Sequence, residues 1–187
     1  MKISYKHLVK NIHTNPSIKQ LSDKLFQLGH EHEVSDEIFD MEFTPNRGDC
    51  FSLNGLLRDL SIFYDISFER DIYEKDIPNF SFKFKNDSDG TCRNISFLKV
   101  EIDEVPVKYN SYLEDYFLDL DIKKNNFFTD VSNYISYETG QPTHCYDSAT
   151  IEDNFSLDTL NSNQKFETLI DKTIDLEKGE QVFLNSE

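Results

Sequence analysis

The run Thr44-Pro45-Asn46-Arg47-Gly48-Asp49 places a carboxamide, a guanidinium and a carboxylate almost side by side in the chain. Asn46, Arg47 and Asp49 can form a polar knot that fixes the first unit against another domain. The alternative is plain turn chemistry, with Asp49 or Ser52 capping the helix that follows. A second polar turn, Gln141-Pro142-Thr143-His144, follows Gly140. A neutral imidazole both donates and accepts, so His144 suits contact with a polar ligand or a water. The alternative is a histidine that only fixes the turn after Pro142. Gln141 and Pro142 shape that turn, and Asn133 is a cap or network residue. His30-Glu31-His32 is a weak metal signal at a helix end. His7, His13, His30 and His32 have no ligand partners at metal-binding spacing, so no metal site is read.

The remaining chemistry is mostly excluded. Cys50, Cys92 and Cys145 are odd in number and far apart, with no CxxC, which argues against both a disulfide framework and a zinc site. No glycine-rich loop could cradle a phosphate. Arg47-Gly48-Asp49 spells an integrin-type tripeptide, a coincidence in a chain that opens without a signal peptide. The net charge is −16, from 35 acids against 19 bases, and no Lys/Arg run appears. Such a surface repels phosphate, so any nucleic-acid contact must be local or depend on a partner that supplies positive charge. No apolar run reaches membrane length, and a reducing cytoplasm is the expected compartment.

The elements that must position these turns follow from periodicity. The composition is globular: 37% hydrophobic, with 16 Phe and 9 Tyr. Asn15-Pro16-Ser17 opens a helix whose apolar face is Ile18, Leu21, Leu25 and Leu28, and Gly29 stops it. Phe39, Met41 and Phe43 alternate with acids as a half-buried strand. Leu53, Leu56, Leu57, Leu60, Phe63 and Tyr64 mark a helix after the first polar turn. Residues 67–92 read as a linker, crossed by a short strand at Phe80, Phe82 and Phe84. Leu98, Val100 and Ile102 predict a strand. Tyr109, Tyr112, Leu113, Tyr116, Phe117 and Leu120 predict a helix whose aromatic stripe is core rather than an RNA-stacking platform. A helix over about 130–139 ends at Gly140. Short strands are expected near His144–Tyr146, Phe155–Leu157 and Val182–Leu184, the last without a neighbour, as in a unit cut short. The fold class is α+β: an N-terminal helix-strand-turn-helix unit and a second mixed unit.

Two stretches resemble the β subunit of bacterial-type phenylalanine–tRNA ligase. Phe39-Asp40-Met41-Glu42-Phe43-Thr44-Pro45-Asn46-Arg47-Gly48-Asp49-Cys50 is similar to the family's strand, "TPNR-x-D-C" turn and helix. Asp130-Val131-Ser132-Asn133-Tyr134 with Glu138-Thr139-Gly140-Gln141-Pro142-Thr143-His144-Cys145-Tyr146-Asp147 is similar to its "VD-[IV]-[ST]-NY … E-x-GQP-x-HAFD". The sequence departs at Gly48, where the family has Pro, at Lys123-Lys124, where it tends to Arg-Pro, and at Cys145 and Tyr146, which replace Ala and Phe. The few residues between Glu33 and Ile38 leave no room for the inserted OB-fold of the long form. Family chains also continue far beyond residue 187.

The resemblance implies a B1-like domain over 1–66, a linker over 67–92 and an incomplete B3/B4-like domain over 93–187. It implies a role in charging tRNA(Phe) with phenylalanine, within an α2β2 heterotetramer. The charging chemistry, with ATP and Mg²⁺, belongs to the α subunit, and this chain is expected to bind neither. The B3/B4 domain hosts editing of Tyr-tRNA(Phe). A pocket shaped for Phe rejects the same ring bearing a hydroxyl by only about a hundredfold, so a second, hydrolytic site is needed. The candidates for that pocket are His144, which would contact the tRNA 3′ end or orient water, with Gln141, Pro142 and Asn133. The family's acceptor for the tyrosine hydroxyl lies in a later glycine-rich segment, so no editing by this chain alone is expected. The rival expectations are a non-catalytic binding or scaffold module and a free-standing trans-editing deacylase.

Overall fold

The computed structural model describes residues 1–66, 77–88, 90–151, 155–168 and 171–185. By packing, the chain divides into two compact units, Met1–Tyr73 with Asp103–Cys145, and Glu74–Ile102 with Tyr146–Glu187. The fold is mixed α+β. Among the described residues no helix is long and apolar enough to cross a membrane.

The first unit begins with β1 (Lys2–Ser4), α1 (Tyr5–Val9), α2 (Ile18–Gln27), β2 (Glu31–Ser35) and β3 (Ile38–Glu42). The three strands form an antiparallel sheet in the order β1-β3-β2, with Ile3 and Val34 flanking Phe39. Alternation puts Phe39 and Met41 inward, as their spacing predicts, and both are buried. Helix α2 starts with a full capping box. Ser17 Oγ accepts from the Gln20 backbone N–H, and Gln20 Oε1 accepts from that of Ser17. Leu21 and Leu25 carry its buried face.

A 3₁₀ turn at Gly48–Cys50 leads into α3 (Leu53–Leu60), capped by Ser52, whose hydroxyl accepts from Gly55 N–H at 2.9 Å. Two helices from the later segment complete the unit: α4 (Ser111–Asp119) and α5 (Phe127–Thr139). Asn110 and Asn126 cap them. Leu113, Tyr116, Phe117, Tyr134 and Tyr137 enter the same core as Ile3, Leu8, Leu21 and Leu57. The aromatic stripe of 109–120 is therefore core, as expected.

The packing units differ from the sequence segments. Residues 93–187 read as one domain along the chain, yet α4 and α5 complete the N-terminal core. An apolar helix stripe settles where it can bury its area, and chain order does not constrain that choice.

The second unit holds β4 (Phe84–Asp87), β5 (Phe155–Thr159), the hairpin β6 (Gln164–Glu167) with β7 (Thr173–Leu176), and β8 (Gln181–Asn185). Its main sheet runs β4-β5-β8, with β4 parallel and β8 antiparallel to β5. Phe82, Phe84, Phe97, Phe155 and Phe183 cluster in it. The last strand was expected to lack a neighbour, but β5 pairs with it, Leu157 opposite Phe183.

Two strand expectations are corrected. Residues 98–102 and 144–146 are irregular. Leu98 and Val100 are 67% and 62% exposed, so the alternation at 98–102 lacks the ladder partner that makes a strand. The strand expected across Phe80, Phe82 and Phe84 begins only at Phe84.

Candidate functional site

The start of α3, just after the first polar turn, meets the end of α5, just before the second. Helix α5 ends at Gly140, which has φ +74° and sits against the start of α3. A Cβ there would stand 3.3 Å from Ser52 Cβ and 3.6 Å from the Phe51 carbonyl oxygen. The left-handed backbone favours glycine, and a Cβ would also crowd Ser52.

From Gly140 the chain folds back along α5. Ser136 Oγ donates to the Gln141 carbonyl at 3.1 Å, and Thr139 Oγ1 accepts from the Gln141 N–H at 3.1 Å. Ser132 Oγ and Thr143 Oγ1 are 2.8 Å apart. These bonds fix the turn through its backbone and Thr143, leaving Gln141, Pro142 and His144 exposed. Asn133 lies exposed on α5, one residue away from the buried Ser132 that grips the turn. Asp130, at the start of the same motif, is fully buried. It accepts from the Tyr109 hydroxyl at 2.6 Å and from the Asn125 N–H at 2.9 Å. Burial, then the bond to Asp130, pushes the Tyr109 phenol up to about 12.

At the first turn Arg47 and Asp49 join a knot whose bonds lie within the first unit, and Ser52 caps α3 as well. Arg47 donates to Asp49 through Nε at 3.0 Å and Nη2 at 3.1 Å, and to Asp59 Oδ2 at 2.5 Å. Arg58 bridges Asp49 and Asp59 from the other side. His30 Nε2 stands 2.9 Å from the same Asp59 oxygen, with the Cys50 thiol beside it. Asn46 is exposed and contributes none of these bonds.

Charge pairing sets the protonation states. Burial works to raise Asp59, but hydrogen bonds from Arg47, Arg58 and His30 outweigh it and hold the carboxyl at about 2. Arg47 and then Arg58 hold Asp49 well below the usual carboxylate range. Burial, then the Asp59 charge, pushes the Cys50 thiol up to about 12, so it is a thiol near neutrality.

Sequence reading found Arg47 and Asp49 but missed His30, Arg58 and Asp59 as their partners. The available signal was weak: Arg58 and Asp59 are charged residues inside the apolar run Leu53–Leu60. His30, between α2 and β2, reaches Asp59 only through the tertiary fold. The donors here do not fit Mg²⁺, which takes oxygen ligands in near-octahedral order. The His/Cys/Asp convergence among the described residues mixes nitrogen, sulfur and oxygen and is crossed by a guanidinium.

Residues 97–187 match the family model of the B3/4 domain. Over most of its length the chain is similar to phenylalanine–tRNA ligase beta subunits, each a component of an aminoacyl-tRNA synthetase. It is 26% identical over 157 residues to that of Psychrobacter arcticus, covering 80% of this chain and 19% of the relative. It is 25% identical over 175 residues to that of Ehrlichia ruminantium strain Gardel, covering 88% and 21%. With that of a Wolbachia from Brugia malayi it shares 26% identity over 183 residues, covering 91% and 22%. The chain thus spans about a fifth of the length of the curated relatives it matches.

Proposed function

We propose that this chain acts as the opening part of a phenylalanine–tRNA ligase β subunit, supplying scaffold, tRNA contact and one wall of the editing pocket. The observation that carries the reading is the seating of Gly140 on Ser52. The two stretches that resemble the family lie far apart in sequence and support one another in the folded unit.

In this reading the charging reaction, with its ATP and Mg²⁺, takes place on an α subunit in an α2β2 assembly. The 141–144 turn faces the tRNA 3′ end. Ser132 and Ser136 hold the turn, and His144 projects from it to orient a water or contact the terminal ribose. Gln141 and Pro142 set its shape, and Asn133 lies beside it. The exposure of His144 supports this role, which a sealed apolar interior would forbid.

The charge balance favours a second reading, a scaffold without RNA contact of its own. The sequence holds four arginines and a net charge of −16, and Arg47 and Arg58 are committed to the knot. Co-expression with a phenylalanine–tRNA ligase α subunit tests both. Co-purification of a complex that binds tRNA(Phe), with binding weakened by His144→Ala, supports the first. A complex whose tRNA binding ignores His144→Ala leaves only the scaffold. Failure to co-purify overturns both. Tyrosyl-tRNA(Phe) deacylation by the chain alone would replace them with a trans-editing enzyme.

A further inference from the structure

Three donors of different chemistry converge beneath the 46–59 turn. His30 Nε2, Cys50 Sγ and Asp59 Oδ2 all lie within 4.8 Å of one another. The separations are 2.9 Å for N···O, 3.5 Å for S···O and 4.0 Å for S···N. A tetrahedral Zn²⁺, with bonds of about 2.3 Å to sulfur and 2.0 Å to nitrogen or oxygen, requires ~3.5 Å for both sulfur pairs and ~3.3 Å for N···O. The observed cage is within about 0.5 Å of that geometry on every edge. Its donors come from the residue before β2, the 3₁₀ turn and α3. His30 and Cys50 are 2% and 0% exposed.

A cation already bridges two of the three donors. Arg47 Nη2 is 2.7 Å from Cys50 Sγ and 2.5 Å from Asp59 Oδ2, on a side chain 31% exposed at the surface. We propose that this cluster is a binding site for a divalent ion of the Zn²⁺ class, which enters in exchange for the Arg47 guanidinium.

The exchange conserves charge. The ion brings two positive charges, and the departing guanidinium and the proton lost by the ligating thiol remove two. Asp59 stays a carboxylate. His30 ligates through the Nε2 lone pair, its ring proton then residing on Nδ1. Arg58 keeps its bonds to Asp49 and to Asp59 Oδ1, which leaves Asp59 Oδ2 for the metal. The fourth position falls to water or to Asp49, whose Oδ2 is 3.7 Å from the thiol. Thiolate and imidazole select a soft or borderline ion over Mg²⁺ or Ca²⁺.

Cobalt titration of a Cys92→Ser/Cys145→Ser protein, in which Cys50 is the sole thiol, tests the site. The expected result is tetrahedral Co²⁺ absorption with a thiolate-to-cobalt charge-transfer band, both removed by added Zn²⁺. Arg47→Ala tightens Co²⁺ binding by about tenfold, the low end of what a neighbour of the ligands does to affinity. His30→Ala and Cys50→Ser abolish the charge-transfer band while helical circular dichroism persists. A cobalt spectrum without the sulfur band overturns the proposal. So does an affinity that Arg47→Ala leaves unchanged or weakens. If Cys50→Ser does not fold, the parent protein and Arg47→Ala decide the matter alone.

Discussion

Asp59 is the residue on which the first turn depends, because one carboxylate collects Arg47, Arg58 and His30. Its folded-state carboxyl sits at about 2, below the ~3.9 of an unfolded chain. A depressed carboxyl contributes stability that is present above the unfolded value and lost as pH falls towards the folded one. The loss therefore belongs between about pH 4 and pH 2. Urea melts across that window should show Asp59→Asn flattening the acid limb while costing stability at pH 7, where a guanidinium loses its partner. His7 acts in a different window. Its Nδ1 lies 2.8 Å from the Tyr137 hydroxyl, and its Nε2 is buried, unbonded among the described residues and 3.7 Å from Asp119. Burial lowers its affinity for protons, against the pull of Asp119 and Asp115. The unfolded state then binds the proton more readily, so stability falls as pH drops below about 6.5. In His7→Gln, the part of the pH 7-to-5 slope owed to this imidazole should vanish. An unchanged slope would show that the site does not titrate as its burial requires.

Elements join these residues into a site, and the joint is the end of α5. Gly140→Ala places a Cβ in a left-handed backbone, at about 1–2 kcal/mol, and 3.3 Å from Ser52 Cβ. Thermal melts should show a loss of at least that size, whereas Thr139→Ala, at the exposed last residue of α5, should cost less. An indifferent Gly140→Ala would mean that the two turns do not bear on each other. Much of this level was legible in the sequence. Ser17, Ser52 and Gly140 announced helix ends through side-chain capping and a left-handed stop, and Leu53–Leu60 announced a buried stripe. Such signals act within one or two turns of chain. The 98–102 alternation misled because a strand is defined by its neighbour, which local pattern does not encode. Strand β2, with the pattern Glu31-His32-Glu33-Val34-Ser35, was unreadable for the converse reason. Pairing with β3 makes it a strand despite its charge. The site was legible to the same extent. Arg47 and Asp49 are two residues apart in the chain and were read together, while His30 and Asp59 join them only through tertiary folding.

At the scale of the whole molecule, the first unit is discontinuous, and its two segments should therefore melt together. Leu57 on α3 is 1% exposed and shares a core with Tyr116 of α4 and Tyr137 of α5. Leu57→Ala removes buried methyl groups and leaves a cavity, at about 2–5 kcal/mol. If the N-terminal residues formed a core of their own, only β1–β3 and α1–α3 would feel that loss. Because α4 and α5 bury their stripes in the same interior, amide hydrogen exchange in 111–119 and 127–139 should speed up by a similar factor to that in 53–60. Strands β4, β5 and β8 rest on a separate phenylalanine cluster and should keep their wild-type rates. Exchange that rises in α3 but not in α5 would return the two helices to a domain of their own and detach the 141–144 turn from its support. A uniform rise across the second unit as well would instead make the chain a single cooperative body.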